Sequence, residues 1–597
     1  MTSSPGSSLH QQLFDQAVAA HRSGDLAAAE RYYRQVLKFV PQQPDATHLL
    51  GLLSHQAGDS AAGLALIDQA IARAPRSAAY HDSRAQALLG LGRFDAAIEA
   101  ARRAVRLGPK SVVFQYNLGR ALFAAHRDQE AIACYRSALR LEPNSAILHF
   151  NLGVALARDG ALEAAEASFA EVVRLEPGNL AGWGQLAQIR ARRDDLAGAV
   201  LCYRSALRAR PDYVPALSKL AETLCELNQF DDAAAVLRDA TREHPREPAI
   251  WSDLGNVETC RGRLEDAIAC LDQALKLDPG HVLAHYNRGV ALLGSGQYAE
   301  GFAEWEWRWR RPEKLRLMLP GTPVSDDDGT SIEDLRGKRL LIHGEEGLGD
   351  TIQFCRFVPI IAEQAHVLLS VRPALARLMG TLAGRHQLIA SEDSLQVEVD
   401  FNLSIHSLPK LLGITLVNLP ATPYLHTAPD FTARWRARLA GLPGKRVGLV
   451  WAGNEDYVAD RRRSLNASLL GPLAGTPGVS FVSLQIGGAA RTVLSQAQRA
   501  ALGLIDHTAD MRDFADTAAL VAALDLVIAV DTATAHLAGA MGHPVWLLNR
   551  FDTDWRWLRE RADSPWYPGM RVFRQAAPGE WGGVVREVRA ALEEWAR

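Results

Sequence analysis

Eight prolines recur every 34 residues in this 597-residue chain: Pro41, Pro75, Pro109, Pro143, Pro177, Pro211, Pro245 and Pro279. That period constrains the fold more than any other feature. A proline lacks the backbone N–H a helix interior needs, so each one marks a helix stop. Seventeen residues before each proline stands a turn former or a polar residue: Gly24, Gly58, Gly92, His126, Gly160, Asp194, Asn228 and Gly262. Gly296 opens a ninth, truncated unit. Between turn and proline lie alanine-rich segments with apolar residues at helical spacing, such as Phe94–Ile98 and Leu264–Ile268. No such unit can bury its apolar face alone, so residues 10–310 are expected to stack as helix pairs around a concave groove.

The 34-residue unit resembles the tetratricopeptide repeat. Asn117-Leu118-Gly119, Asn151-Leu152-Gly153 and Leu254-Gly255 match the first-helix signature of that family, and Ala97, Ala131, Ala165, Ala199, Ala233 and Ala267 fall at its small helix-contact site. Grooves of such repeats bind peptides or partner proteins. Asn117, Asn151 and Asn287 share one repeat position and would line the groove as acceptor-binding residues, since an amide both donates to and accepts from a peptide backbone. The pattern is similar to the asparagine ladder of O-GlcNAc transferase, with departures at Ser83, Gln185, Lys219 and Asp253. Cys134, Cys202 and Cys270 recur at 68 residues and read as small packing residues; none of the six cysteines forms a Cys-x-x-Cys pair.

The ninth unit ends in Trp305-Glu306-Trp307-Arg308-Trp309, aromatics expected to cement the repeats to the next domain. Residues 1–9 read as a disordered start, and residues 311–337, with three prolines and the acidic run Asp326–Asp328, as a linker. A formal charge of −3 supplies no field for nucleic acid or anionic lipid. The first ten residues lack the basic start and apolar core of a signal peptide. Ala518–Val530, interrupted by Asp525, is too short to span a bilayer. A cytoplasmic protein is expected.

From residue 338 onward short apolar strands alternate with helical patterns, which implies parallel sheets. Residues 338–430 are expected to form one Rossmann-like half and residues 431–597, opened by a helix at Phe431–Leu439, a second. Strands are predicted at 339–343, 366–370, 386–390 and 399–403, then at 446–451, 479–485, 504–505, 526–530 and 545–548. Two loops stand out. Arg339–His343 runs into Gly344, Gly347 and Gly349, after which Asp350 begins a helix predicted to reach residue 364. A phosphate-cradling loop of the ATPase type would place Lys after the last glycine. Asp350 would repel phosphate there, but it can take a proton from a hydroxyl or cap the helix. The second loop, Asp531-Thr532-Ala533-Thr534-Ala535-His536, follows an apolar strand and opens a helix whose free N–H groups suit a diphosphate. His536 faces the same end and could add a positive charge or a donor.

At these residues the chain resembles the heptosyltransferase-like glycosyltransferases of family nine, which have the GT-B fold of two Rossmann-like halves. Gly347-Leu348-Gly349-Asp350 matches the Gly-x-Gly-Asp loop of that family, and Asp531, Thr532, Ala533 and His536 match its Asp-Thr-(Gly/Ala)-x-x-His element. Arg463 matches its basic residue near the donor phosphates, while its Lys-x-Trp-Pro is absent. The resemblance implies an inverting, metal-independent transfer of sugar from a nucleoside diphosphate to an acceptor, with no further cofactor. Asp350 would be the base, and Gly347, Gly349, Arg463, Asp531, Thr532, Ala533 and His536 would hold the donor. Asp552-Thr553-Asp554 is the alternative, a metal site of another transferase fold, but it lies late in the chain. A rival reading is a repeat scaffold with a degenerate, non-catalytic transferase-like domain.

Overall fold

The computed structural model describes residues 9–311, 319–324, 330–345, 347–420, 423–455, 459–488 and 492–597. The acidic run Asp326–Asp328 lies outside them. Contacts divide the chain into two compact units, Met1–Ala216 and Leu217–Arg597.

The first unit is built of helix pairs, beginning with Leu9–Ser23 and Leu26–Phe39 and continuing through Leu180–Arg192 and Leu196–Ala209. Each repeat proline falls two residues beyond the second helix of its pair, as Pro41 does after Phe39. The turns at Gly24, Gly58, Gly92, His126, Gly160 and Asp194 all take positive φ, the backbone state that ends one helix and re-aims the next. Ala97, Ala131, Ala165 and Ala199 are fully buried where the helices of a pair touch. Two devices that the repeat motif does not specify recur. Ring nitrogens of His81 and His149 and the Trp183 indole lie 2.9 Å from the carbonyls of Pro75, Pro143 and Pro177, six residues back. Each bond ties the next first helix to the proline turn. First helices of successive repeats also bond at a separation of 35, as in His48 to Ser83 at 2.8 Å.

The second unit opens with repeats of the same kind, through Val282–Gly294 and Tyr298–Trp305, with positive φ at Asn228, Gly262 and Gly296. Its remainder holds two parallel sheets. β1 (Thr322–Pro323), β2 (Arg339–His343), β3 (His366–Val371), β4 (His386–Ala390) and β5 (Phe401–Ser404) pair in the order β1-β5-β2-β3-β4. β6 (Lys445–Val450), β7 (Val479–Ser483), β8 (Ile505–Asp506), β9 (Leu526–Val530), β10 (Val545–Asn549) and β11 (Met570–Arg574) pair in the order β11-β10-β9-β6-β7-β8. The second is a doubly wound sheet, whose order reverses between β6 and β9; in sheets of this kind ligands bind at the C-terminal ends of the strands beside the reversal. The first reverses likewise between β2 and β5.

Several elements differ from expectation for local reasons. The helix predicted over 350–364 starts at Leu348, tightens over Cys355–Phe357 and resumes as Val358–Ile361, because Pro359 cannot donate inside a continuous helix. The connecting helix runs Pro429–Arg438, with proline in its first turn. The segment read as linker contributes β1, whose Thr322 pairs with Phe401. β11 and the final helix Trp581–Trp595 are additions to the predicted strands and helices.

The unit division falls at residue 216 rather than near 310 because the last repeats share a core with the sheets. Leu293, Tyr298, Phe302 and Trp305 are buried in one cluster with Leu340, Ile342, Phe354, Trp555 and Trp566. The Trp566 indole donates to the Tyr298 hydroxyl at 3.0 Å. Trp307 instead stacks on His285 with ring centroids 3.6 Å apart.

Candidate functional site

The glycine loop does its close packing against protein. A Cβ on Gly347 would collide with Asp350 Oδ2, so the carboxylate folds back over that glycine. A Cβ on Gly349 would lie 3.0 Å from the His536 ring and 3.3 Å from Ala533 Cα. The helix carrying Asp350 therefore sits directly on the N-terminal turn of the helix Ala533–Ala540. The two loops singled out in the sequence meet.

Asp350 is half-buried between two basic side chains. Arg556 Nη2 donates to its Oδ1 at 2.7 Å, and His406 Nε2 lies 3.5 Å from its Oδ2. Burial alone would push this carboxyl up, but Arg556, His406 and His536 outweigh it and hold it well below the ordinary carboxylate range. Arg556 spans the halves: Nε donates to Gln353 Oε1 at 2.5 Å and Nη1 to Asp554 Oδ1 at 3.0 Å. Against the cost of its burial, Asp554, Asp350 and Asp531 hold its charge in place.

In the second sheet the site follows β9. Thr532 caps the helix Ala533–Ala540 with its backbone, and its hydroxyl donates to the Val530 carbonyl at 3.2 Å. Asp531 is pushed above the usual carboxylate range by burial and by the neighbouring Asp554. Arg463 Nη1 donates to the Asp531 carbonyl at 3.1 Å, and its Nε lies 3.2 Å from Asp460 Oδ1. Its guanidinium packs against Gly453, where a Cβ would collide with it. Arg463 thereby ties the ends of β6 and β9 at the reversal of the sheet.

Two expectations need correction. His536 cannot supply a positive charge: burial, reinforced by Arg556, lowers its pKa to about 3, and its Nδ1 lies 2.9 Å from the Tyr567 hydroxyl. A cation at this end is Arg556, whose partner Asp350 lies 206 residues away in the chain. The asparagines do not form one set either. Asn117 is buried and donates to both Asp82 oxygens, at 3.0 and 2.9 Å, as an inter-repeat bond. Asn151 donates to Ile147 of its own helix at 2.7 Å, and Asn287 is half-buried. The carboxylates of the Asp-x-Asp pair face arginines: Asp552 is 2.8 Å from Arg462 and 3.4 Å from Arg550, and Asp554 is bound to Arg556.

With this geometry in place, the chain can be set beside known proteins. Family models described as tetratricopeptide repeat match residues 14–78, 48–112, 83–144, 116–179 and 190–254, and one described as TPR repeat matches 255–296. Residues 14–296 are tetratricopeptide repeats, a protein-interaction fold. Protein FlbA of Caulobacter vibrioides is 31% identical over 342 residues, a match that covers 53% of this chain and 55% of that protein. The chain thus spans about half the length of that relative. Among solved structures, the C-terminal part of a TPR repeat-containing protein from Cytophaga hutchinsonii is 16% identical, covering 46% of this chain and 98% of that one with a TM-score of 0.33. A thermophilic TPR protein of Thermus thermophilus is 24% identical, covering 30% of this chain and 99% of that one with a TM-score of 0.26.

Proposed function

We propose that the chain is a glycosyltransferase of GT-B type, similar to family nine, that moves a sugar from a nucleoside diphosphate to an acceptor recruited by its repeats. The observation that carries this reading is the meeting of Asp350, after β2, with the N-terminal turn of Ala533–Ala540, after β9. A carboxylate and a helix N-terminus, a place suited to an anion, are thereby brought together at the C-terminal ends of β2 and β9. In this scheme Asp350 takes the acceptor proton as the hydroxyl oxygen attacks the anomeric carbon from the face opposite the diphosphate. The helix N-terminus, Arg463 and Arg556 stabilise the charge that develops on the leaving diphosphate. A protein or peptide acceptor fits the repeats. Among the described residues no helix is long and apolar enough to cross a membrane.

The test is a panel of nucleoside-diphosphate sugars incubated with the purified full chain, read by release of nucleoside diphosphate and by mass shift of a co-purifying protein. Release with at least one donor is expected. The ion pair of Arg556 with Asp350 favours the second reading, a repeat scaffold whose transferase-like site is closed. Repeat-dependent protein binding without release from any donor would decide for it.

A further inference from the structure

Arg556 leaves Asp350 ill suited to work alone, because a carboxylate held far below its ordinary range takes a proton poorly near neutrality. Behind it stands a second titratable group. His406 lies in the short turn Ile405–Ser407 that follows β5 and is 4% exposed. Its Nε2 is 3.5 Å from Asp350 Oδ2, and its Nδ1 is 3.3 Å from Glu345 Oε1. Glu345 is fixed in turn: Ser404 Oγ donates to the same oxygen at 2.7 Å and Arg308 Nε at 2.9 Å. Arg308 is itself buried, donating to Glu306 at 2.6 Å and to Ser407 at 2.8 Å.

A purely structural clamp between the repeat end and the glycine loop is already complete with Arg308, Ser404 and Glu345. It has no need of an imidazole. A ring with a carboxylate near each nitrogen can donate to both at once only as imidazolium. The Ser404 hydroxyl also lies 3.5 Å from Nδ1. Trp305 and Phe354 pack against it at 5.6 and 5.2 Å, and the nearby His343, at the end of β2, is kept neutral by burial, its pKa lowered to about 4. Arg308 lies beyond Glu345 and Arg556 beyond Asp350.

We propose that His406 receives, through Asp350, the proton of the acceptor hydroxyl, and that Glu345 fixes the ring with Nδ1 protonated so that Nε2 is the accepting atom. The proposal rests on the transferase reading. As the acceptor oxygen forms its bond to the anomeric carbon, its O–H bond breaks and the proton passes to Asp350 Oδ2 and on to His406 Nε2. The electron pair of the broken sugar–phosphate bond leaves with the diphosphate. Asp350 returns to its ion pair with Arg556, and the imidazolium stands against Glu345. His406 and Glu345 are positioning residues here, acting on the substrate only through Asp350.

The experiment uses the full chain, with the donor that the panel identifies. His406→Gln should lower kcat at least tenfold while the donor KM stays within twofold, and should remove the acid limb of the kcat–pH profile. Glu345→Gln should move that limb to lower pH, because the imidazolium loses its counter-charge. Nitrogen-15 histidine spectra of the wild type at alkaline pH, assigned with His406→Gln, should show Nδ1 protonated and Nε2 bare, a readout that needs no turnover. An unchanged kcat and profile in His406→Gln, or an Nε2-protonated ring, overturns the relay and leaves the transferase reading standing. Absence of turnover from every donor in the wild type overturns both.

Discussion

Asp350, Gly349 and Thr532 stand in short motifs that join a strand end to a helix start within a few residues, whereas Arg463 is marked only by the family resemblance. The pairings of His406 and Arg556 with Asp350 are not legible in the sequence, since the folded sheets bring these partners together across 56 and 206 residues and no spacing in the chain records that. The site therefore reads from the sequence as an anion site with a base, and from the structure as a row of ionisable side chains in contact, Arg308, Glu345, His406, Asp350, Arg556 and Asp554. Within it, Asp350→Asn should lower kcat at least a hundredfold with donor affinity within a few-fold, as expected for a lost general base. Titration calorimetry with the donor and turnover assays on the same protein check this. Equal loss of binding and turnover would make Asp350 a donor ligand. His536 gives a pH prediction. Its pKa falls from the ordinary 6.5 unfolded to about 3 folded. Between those values the unfolded chain binds the extra proton, so stability is lost as pH falls below 6.5, by about 1.4 kcal/mol per pH unit for this one residue. Urea unfolding at pH 6 and pH 5 should show a shallower loss for His536→Asn than for wild type, and equal losses would refute the neutral assignment.

At the scale of elements, the proline period placed the repeat helices closely because each proline and each turn acts locally. The bonds that join one repeat to the next, His48 to Ser83 or Asn117 to Asp82, sit at a separation of 35 and look in the sequence like ordinary polar positions. That is why the asparagines read as a ladder. The α/β strands were legible from their apolar runs, whereas β11, with the pattern Met-Arg-Val-Phe-Arg, resembles a surface segment until β10 pairs with it. The repeat turns carry a stability prediction. His126 has φ 58° at a position where most other repeats have glycine. An L-residue in that left-handed region is strained, while glycine gains chain entropy only in the unfolded state. His126→Gly should thus stabilise its repeat by about 0.5–1 kcal/mol, and Gly160→Ala, at φ 86°, should destabilise by a similar amount or more. Thermal midpoints of both variants test the pair, and a lower midpoint for His126→Gly would contradict it.

At the scale of the whole molecule, the boundary suggested by composition and the boundary drawn by packing differ. The change from alanine-rich periodicity to strand–helix alternation put the junction at 311–337, because composition reports the local element and not its neighbours. Tyr298, Phe302 and Trp305 belong to the repeats by sequence and to the α/β core by burial, each at most 7% exposed. Trp555 has ring centroids 6.0, 5.8 and 5.6 Å from theirs. Losing one large buried aromatic typically costs roughly 3–5 kcal/mol, and a domain is stable by only about 5–15 kcal/mol. Removing all three exhausts that margin. It also strips Arg308 from Glu345, leaving a carboxylate in the interior without its arginine partner. A fragment of residues 338–597 should consequently fail to fold cooperatively, showing little near-ultraviolet tryptophan ellipticity and rapid proteolysis. A fragment starting at Asp212, ahead of the helix Val214–Glu226, keeps the shared core and should show a single cooperative transition. The repeats cut at residue 310 should expose the same three aromatics and associate, whereas residues 9–210 should remain monomeric. Circular dichroism and sedimentation of the four fragments test this together. A cooperative, monomeric 338–597 would return the boundary to the linker and reduce Trp305 and Arg308 to surface contacts.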